Sequence, residues 1–281
     1  MSIDAHATIA READRLAAVL ARADPAARVP TCPDWTADDL LWHLTEVHEF
    51  WAAILREGVT SEEEVQRIEE AKSPRPEDRE ELLARRAAAT AALLDQLGAH
   101  EDEDPAWFWF SEVQGVGATR RMQPHEATVH RVDAELTADL DQLSPIAPED
   151  ALAGLDHVLQ VMWPAGFEWI PDWATLRPVA VVEIAPAGDE ARQLLISRWS
   201  GTRPRDGQEF DAPVGRPLAD PADADGLPRA RAAGTPQALD LWAWGRVRAL
   251  DRLPGGPQTV DVDGDPEAVA QLEALIAEGH D

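Results

Sequence analysis

The sequence predicts an α+β protein with a helical N-terminal domain and a small α/β C-terminal domain. Before Ser144-Pro145 the apolar residues recur at helical spacing over long segments, whereas after it short apolar runs of strand length replace them. With 281 residues the chain also exceeds the usual span of one helical domain. We therefore expect one domain at residues 1–143 and a second at residues 144–281.

Four helices are predicted in the first domain. Apolar periodicity places them at residues 4–22, in a segment that starts at Thr36, at 82–97 and at 120–140. Thr36 and Asp39 have the spacing of a capping box, with a short acid at the fourth position. Residues 61–81 are rich in Glu, Arg and Pro and are predicted to form a solvated connection. Four helices with one long connection indicate a bundle.

In the second domain, two apolar runs are expected to pair as strands on either side of Gly188-Asp189. These runs are Val179–Ile184 and Leu194–Trp199. Residues 203–227 are predicted to be a long surface connection because they are rich in Pro, Asp and Gly. The remaining elements expected are helices at 148–162, 238–247 and 265–278 and a strand at 229–233.

Composition excludes several classes of function. The formal net charge of -28 leaves no basic excess to neutralise phosphates, so we expect binding to neither nucleic acid nor an anionic membrane. Cys32 is the single cysteine, which rules out an internal disulfide and favours a reducing compartment. The first residues lack a basic segment followed by an apolar one, and no apolar run reaches the ~18 residues of a membrane span. We expect a cytoplasmic protein.

Three side chains are candidate metal ligands. Glu126 and His130 are four residues apart on a predicted helix and therefore share one face. His43 belongs to a stripe of the second helix formed by positions 43, 47, 50 and 54, and this stripe is expected to face the interior. Two imidazoles and one carboxylate suit Zn²⁺ with a fourth position left open.

The spacing alone also allows simpler interpretations. A Glu/His pair one turn apart is a common surface contact, and an inward histidine is commonly a hydrogen-bonded core residue. Asp133, one turn after His130, can orient an imidazole or pair with an arginine. Trp107–Phe110 is interpreted as a packing cluster instead of a cofactor site, and Cys32 as a small buried residue.

Three segments resemble the mycothiol-dependent maleylpyruvate isomerase family. They are Val29–Thr36 with Leu41–Leu44, Arg121–Ala134, and more faintly Leu239–Arg246. The resemblance implies that the N-terminal half is a DinB-like four-helix bundle and that a small α/β domain follows it. It also implies a divalent metal held by His43, Glu126 and His130.

The function implied by the resemblance uses an external thiol. Mycothiol would bind at the open metal position, where its thiolate could attack a small electrophilic, anionic substrate and lead either to isomerisation or to S-transfer. Arg246 could neutralise a substrate carboxylate, or it could be an ordinary arginine at a helix end. Two alternatives use the same three ligands: a non-catalytic metal- or ligand-binding module, and a metal-dependent hydrolase.

Overall fold

The computed structural model describes residues 4–278. The chain divides into two compact units, and the division falls between Pro145 and Ile146. Among the described residues, no helix is both long enough and apolar enough to cross a membrane. Helices make up the first unit and a five-stranded sheet with helices makes up the second, so the α+β prediction is confirmed.

The first unit is a four-helix bundle with one additional short helix. Its helices are α1 (Ala5–Leu20), α2 (Ala37–Glu57), α3 (Glu62–Glu70), α4 (Arg79–Ala99) and α5 (Val116–Thr137). Side-chain contacts show that α1 and α5 point one way, while α2 and α4 point the other way. This up-down-down-up order brings the middle of α2 against the middle of α5.

Helix α2 begins where the capping box predicts. The Thr36 hydroxyl oxygen accepts from the Asp39 backbone N–H at 3.2 Å, and the Asp39 carboxylate accepts from the Thr36 backbone N–H at 2.8 Å. Two of the N–H groups at the start of the helix are satisfied in this way. The helix ends at Gly58, whose φ of 64° is easily reached by glycine.

The solvated connection predicted at residues 61–81 contains a helix, α3, that the sequence analysis did not predict. Glu62, Glu63 and Glu64 occupy the first turn, where the helix dipole favours negative charge. Val65 and Ile68, three residues apart, are the two buried side chains of this helix. Two apolar residues in a charged segment are thus enough to hold one short helix against the bundle.

A buried ion-pair network links α1 to α5. The Arg131 guanidinium is fully buried and donates to Glu12 at 2.6 Å and to Glu135 at 2.9 Å. Glu135 also accepts from Arg15 at 2.7 Å and from the Ser144 hydroxyl at 2.6 Å. Charges removed from water in this way depend on one another, so we expect the network to be sensitive to the loss of any member.

The second unit contains a mixed sheet in the order β3-β2-β1-β4-β5. Its strands are β1 (Thr175–Pro186), β2 (Arg192–Thr202), β3 (Glu209–Pro217), β4 (Arg229–Gly234) and β5 (Asp261–Gly264). Its helices are α6 (Pro148–His157), α7 (Trp163–Ala165), α8 (Pro236–Ala243) and α9 (Pro266–Ala277). Strand β4 runs parallel to β1, and the other neighbouring strands are antiparallel.

The paired strands predicted around Gly188-Asp189 are confirmed, with Val182 opposite Leu194. The prediction of a surface connection at residues 203–227 is wrong, since it contains β3. This strand has Pro213 and Pro217 and lies at the sheet edge, where a residue without an N–H is tolerated. The prolines of β3 gave this segment the composition of a loop, and the strand was therefore not predicted. The short edge strand β5 was also not expected from the sequence.

Candidate metal centre

The structure brings the three candidate ligands together between α2 and α5. The Glu126 Oε1 atom lies 3.1 Å from Nε2 of His43 and 3.2 Å from Nε2 of His130. One ligand atom from each of the three residues lies within 4.8 Å of the others. The two imidazole rings are 4.6 Å apart and nearly perpendicular. Three donors thus converge on one point.

The sequence predicted His43 on the stripe of α2 that faces the interior. In the structure His43 does not lie at the centre of the interior face. The side chains that fill the interior include Leu41, Leu44, His48 and Trp51, which recur at helical spacing. His43 lies at the border of this face, and its side chain is 30% exposed, against 6% for His130. The border position leaves one side of the cluster accessible, which a catalytic metal site requires.

The cluster holds its carboxylate in the ionised form. Burial raises the pKa of Glu126, but the neighbouring His130 and His43 outweigh it and lower that pKa well below its ordinary value. Burial lowers the pKa of His130, but the charges of Glu126 and Asp133 and their hydrogen bonds raise it to about 9. Glu126 is therefore a negative carboxylate beside two imidazoles. A histidine releases its proton when its nitrogen binds a metal ion.

Asp133 contacts the imidazole of His130, as the orienting interpretation requires. Asp133 Oδ2 lies 3.0 Å from His130 Nδ1. The other oxygen, Oδ1, accepts a hydrogen bond from the Thr31 hydroxyl at 2.6 Å. A carboxylate behind a ligand histidine is the usual arrangement in metal sites.

The loop before α2 covers one side of the cluster. The Trp35 ring lies 4.7 Å from the His43 ring and 6.0 Å from the His130 ring, measured between centroids. Cys32, in the same loop, is buried in the apolar core beside residues of α1 and α2, as the sequence predicted. Its side chain packs among apolar residues of the bundle.

His48 is a buried histidine that the sequence analysis did not single out. Its Nδ1 lies 2.9 Å from the Thr90 hydroxyl, and burial lowers its pKa to about 3. The Thr90 hydroxyl donates to the Arg86 carbonyl, so it accepts from Nδ1 of His48. His48 is therefore a neutral, hydrogen-bonded core residue and not a member of the three-ligand group.

The donor geometry fits a divalent ion. Bonds of about 2.0–2.1 Å at tetrahedral angles place ligand atoms roughly 3.3 Å apart. Two of the three separations, the 3.1 and 3.2 Å between Glu126 and the two histidines, are close to that value, and all three ligand atoms lie within 4.8 Å of one another. Two imidazoles and one carboxylate also match the ligand preferences of Zn²⁺.

Arg246 lies in the second unit, directly after α8. It is buried, and its Nη1 donates to the Trp244 carbonyl oxygen at 2.8 Å. Its role as the ligand of a substrate carboxylate stays a prediction.

The aromatic cluster Trp107–Phe110 has a packing role. Trp107 stacks on Trp51, while Phe108 and Phe110 are buried.

Comparison with known proteins shows a similarity that includes all three candidate ligands. The family model described as "Mycothiol maleylpyruvate isomerase N-terminal domain" matches residues 6–135. Two solved structures are similar at 13% identity over 92% of each chain: a mycothiol-dependent maleylpyruvate isomerase, with a TM-score of 0.46, and a histidine-to-alanine mutant of one, with a TM-score of 0.45. No curated protein matches the chain.

Proposed function

We propose that this protein is a metal-dependent enzyme with mycothiol as its thiol cofactor, because the family model of the mycothiol maleylpyruvate isomerase N-terminal domain matches residues 6–135. The reaction is isomerisation or S-transfer on a small, electrophilic, anionic substrate. The observation that carries the proposal is the convergence of His43, Glu126 and His130 on one partly exposed point. The matched residues contain all three.

The chain's own residues have defined tasks in this proposal. His43 and His130 each present Nε2, and Glu126 presents a carboxylate oxygen, to one divalent ion, with Zn²⁺ as the leading candidate. Such an ion lowers the pKa of a thiol and so supplies a thiolate nucleophile at neutral pH. Trp35 covers one side of the site and leaves a restricted approach for the substrate.

The reactive sulfur comes from outside the protein. Cys32 is the only thiol of the chain, and it is buried in the apolar core. A nucleophile must reach its substrate, and a buried structural cysteine is inert. A three-ligand metal site leaves a coordination position for the sulfur of an external thiol. The protein therefore needs no reactive cysteine of its own.

The decisive experiment compares activity with and without mycothiol on a panel of activated electrophiles that includes maleylpyruvate. We expect turnover to require both the thiol and about one divalent ion per chain, measured by elemental analysis. Cys32→Ser should retain it, whereas His43→Ala and His130→Ala should lose both metal and activity. The helical signal in circular dichroism checks that each variant folds.

Other outcomes would contradict the proposal in recognisable ways. Turnover without thiol would favour a hydrolase with a bound water as nucleophile. Loss of thiol-dependent activity in Cys32→Ser would move the nucleophile into the protein. A folded protein that retains no ion, even after Zn²⁺ is added, would remove the basis of the proposal.

A further inference from the structure

The loop between α1 and α2 is closed by its own backbone. The Val29 N–H donates to the Trp35 carbonyl at 3.0 Å, and the Trp35 N–H donates to the Cys32 carbonyl at 2.9 Å. These bonds hold Thr31 within the loop. Because the loop also packs Val29 and Cys32 into the bundle core, the position of Thr31 is determined by buried contacts.

Thr31 begins a hydrogen-bonded series that ends at the metal cluster. Its hydroxyl donates to Asp133 Oδ1 at 2.6 Å, and Asp133 Oδ2 accepts from His130 Nδ1 at 3.0 Å. The Asp133 side chain is fully buried. A carboxylate can only accept, so Nδ1 carries a hydrogen towards Asp133. Nε2, which lies 3.2 Å from Glu126, is the nitrogen that would give up its proton and present its lone pair to a metal ion.

We propose that Thr31 is a positioning residue for the metal site, which acts on His130 through Asp133. This inference rests on the proposed function, because it assigns Thr31 a task only where His130 binds a metal ion. The hydroxyl fixes the rotation of a buried carboxylate, and that carboxylate in turn fixes the tautomer and the plane of the imidazole. Outer partners of ligand histidines commonly change metal affinity by about 10–100-fold.

The geometry makes the hydroxyl specific to this task. Thr31 and Asp133 are 102 residues apart, so their bond joins the loop to α5 and is not a local turn contact. By contrast, the buried hydroxyls of Thr45, Thr90 and Thr128 each donate to the carbonyl four residues earlier in their own helix, at 2.7 Å for Thr45 to Leu41. Thr45 therefore provides a matched control: it is buried and lies two residues from His43, but its hydroxyl donates to a backbone carbonyl of its own helix.

The test compares Thr31→Val with Thr45→Val, since both replace a hydroxyl by a methyl group of similar size. The dissociation constant for Zn²⁺ is measured by competition with a chelating indicator. We expect Thr31→Val to weaken binding on the order of 10-fold, Thr31→Ser to restore it, and Thr45→Val to stay near wild type. In the Zn²⁺-loaded protein, the His130 Nδ1–H proton should exchange with water faster in Thr31→Val, as measured by NMR.

A double-mutant cycle separates positioning from general loss of structure. Asp133→Asn should weaken Zn²⁺ binding, and adding Thr31→Val to it should weaken binding no further, because the hydroxyl acts only through that carboxylate. Additive losses, or equal affinities for wild type and a folded Thr31→Val, would overturn the inference while leaving the metal site intact. If the wild-type protein binds no Zn²⁺, the proposed function and this inference are both wrong.

Discussion

Each unit of the protein contains a carboxyl group whose pKa is shifted far from its ordinary value, and the two shifts have opposite directions. In the first unit, burial raises the pKa of Glu126, but His130 and His43 overcome this and lower it well below the ordinary value. In the second unit, burial raises the pKa of Asp240 well above its ordinary value, the side chain of Trp244 opposes this, and the charge of Asp150 adds to it. Burial raises the pKa of both carboxyl groups, so the neighbouring side chains determine the direction of the net shift.

The two carboxyl groups also differ in the polar partners around them. Glu126 Oε1 lies between two imidazole nitrogens. Asp240, on α8, is 3% exposed and its Oδ1 has no hydrogen-bond partner among the described residues. An ionised carboxylate at a partly open border can take a metal ion, whereas a carboxyl group whose charged form is disfavoured by burial serves packing. Burial of an acid alone therefore does not indicate a functional site.

The largest expected difference is in metal retention. Glu126→Gln removes a charged ligand and should reduce Zn²⁺ affinity by more than about 100-fold, beyond the range seen for outer partners. Asp240→Asn makes the same chemical change and should leave the metal content at that of wild type. Elemental analysis after dialysis measures both. Equal metal loss in the two variants would show that the comparison assigns the wrong carboxylate.

A second difference concerns stability. Burial raises the pKa of Glu135, but the charge of Arg131 and the bonds from Ser144 and Arg15 outweigh it and lower that pKa. Arg131→Met would leave Glu12 and Glu135 buried without this cation, and we expect a loss of about 3–5 kcal/mol in the free energy of unfolding. Urea titration followed by circular dichroism measures it.

The control for this prediction is an exposed ion pair. Arg67 lies 3.5 Å from Glu64 on α3, and the Arg67 side chain is mostly exposed. Arg67→Met should cost less than about 1 kcal/mol, since surface pairs contribute little. Similar losses for Arg67→Met and Arg131→Met would mean that burial of the network does not govern its contribution.

The sequence predicts the candidate metal ligands because their signal is local or part of a motif. Glu126 and His130 are one helical turn apart, and His43 follows the loop of the resembled family. Thr31 could not be found in this way, since only folding brings it to Asp133, 102 residues away. The border position of His43 also depends on how α2 is rotated against its neighbours, which periodicity alone places incorrectly.

Elements of the fold were predictable where local chemistry agrees with the tertiary structure. The capping box located the start of α2 because its two hydrogen bonds lie within four residues. Helix α3 and strand β3 were missed because a charged segment and two prolines hid the few buried apolar residues that hold them. Edge and surface elements tolerate such residues, so composition is a weak guide there.

A third prediction uses the contact between α6 and α8. A Cβ at Gly154 would lie 2.5 Å from Asp240 Oδ1, closer than atoms can approach without rearrangement. Gly154→Ala should therefore reduce the free energy of unfolding by about 1–3 kcal/mol through overpacking. Thermal unfolding of Gly154→Ala, alone and combined with Asp240→Ala, tests this. A cost that persists unchanged in the double variant would show that the clash is with other atoms.

The smallest effect is a dependence of stability on pH. Because the folded pKa of Asp240 is raised, the protonated carboxyl stabilises the fold fully below the unfolded pKa, and this contribution is lost as the pH rises through the folded pKa. Asp240→Asn keeps the shape without the charge, so the variant should gain roughly 0.5–2 kcal/mol over wild type at neutral pH. The gain should shrink towards pH 4, near the ordinary pKa of an aspartate. Urea titrations of both proteins at several pH values measure this difference, in which other titrating groups cancel. A gain that is constant with pH would indicate that Asp240 is ionised in the folded protein, and the contrast with Glu126 would then disappear.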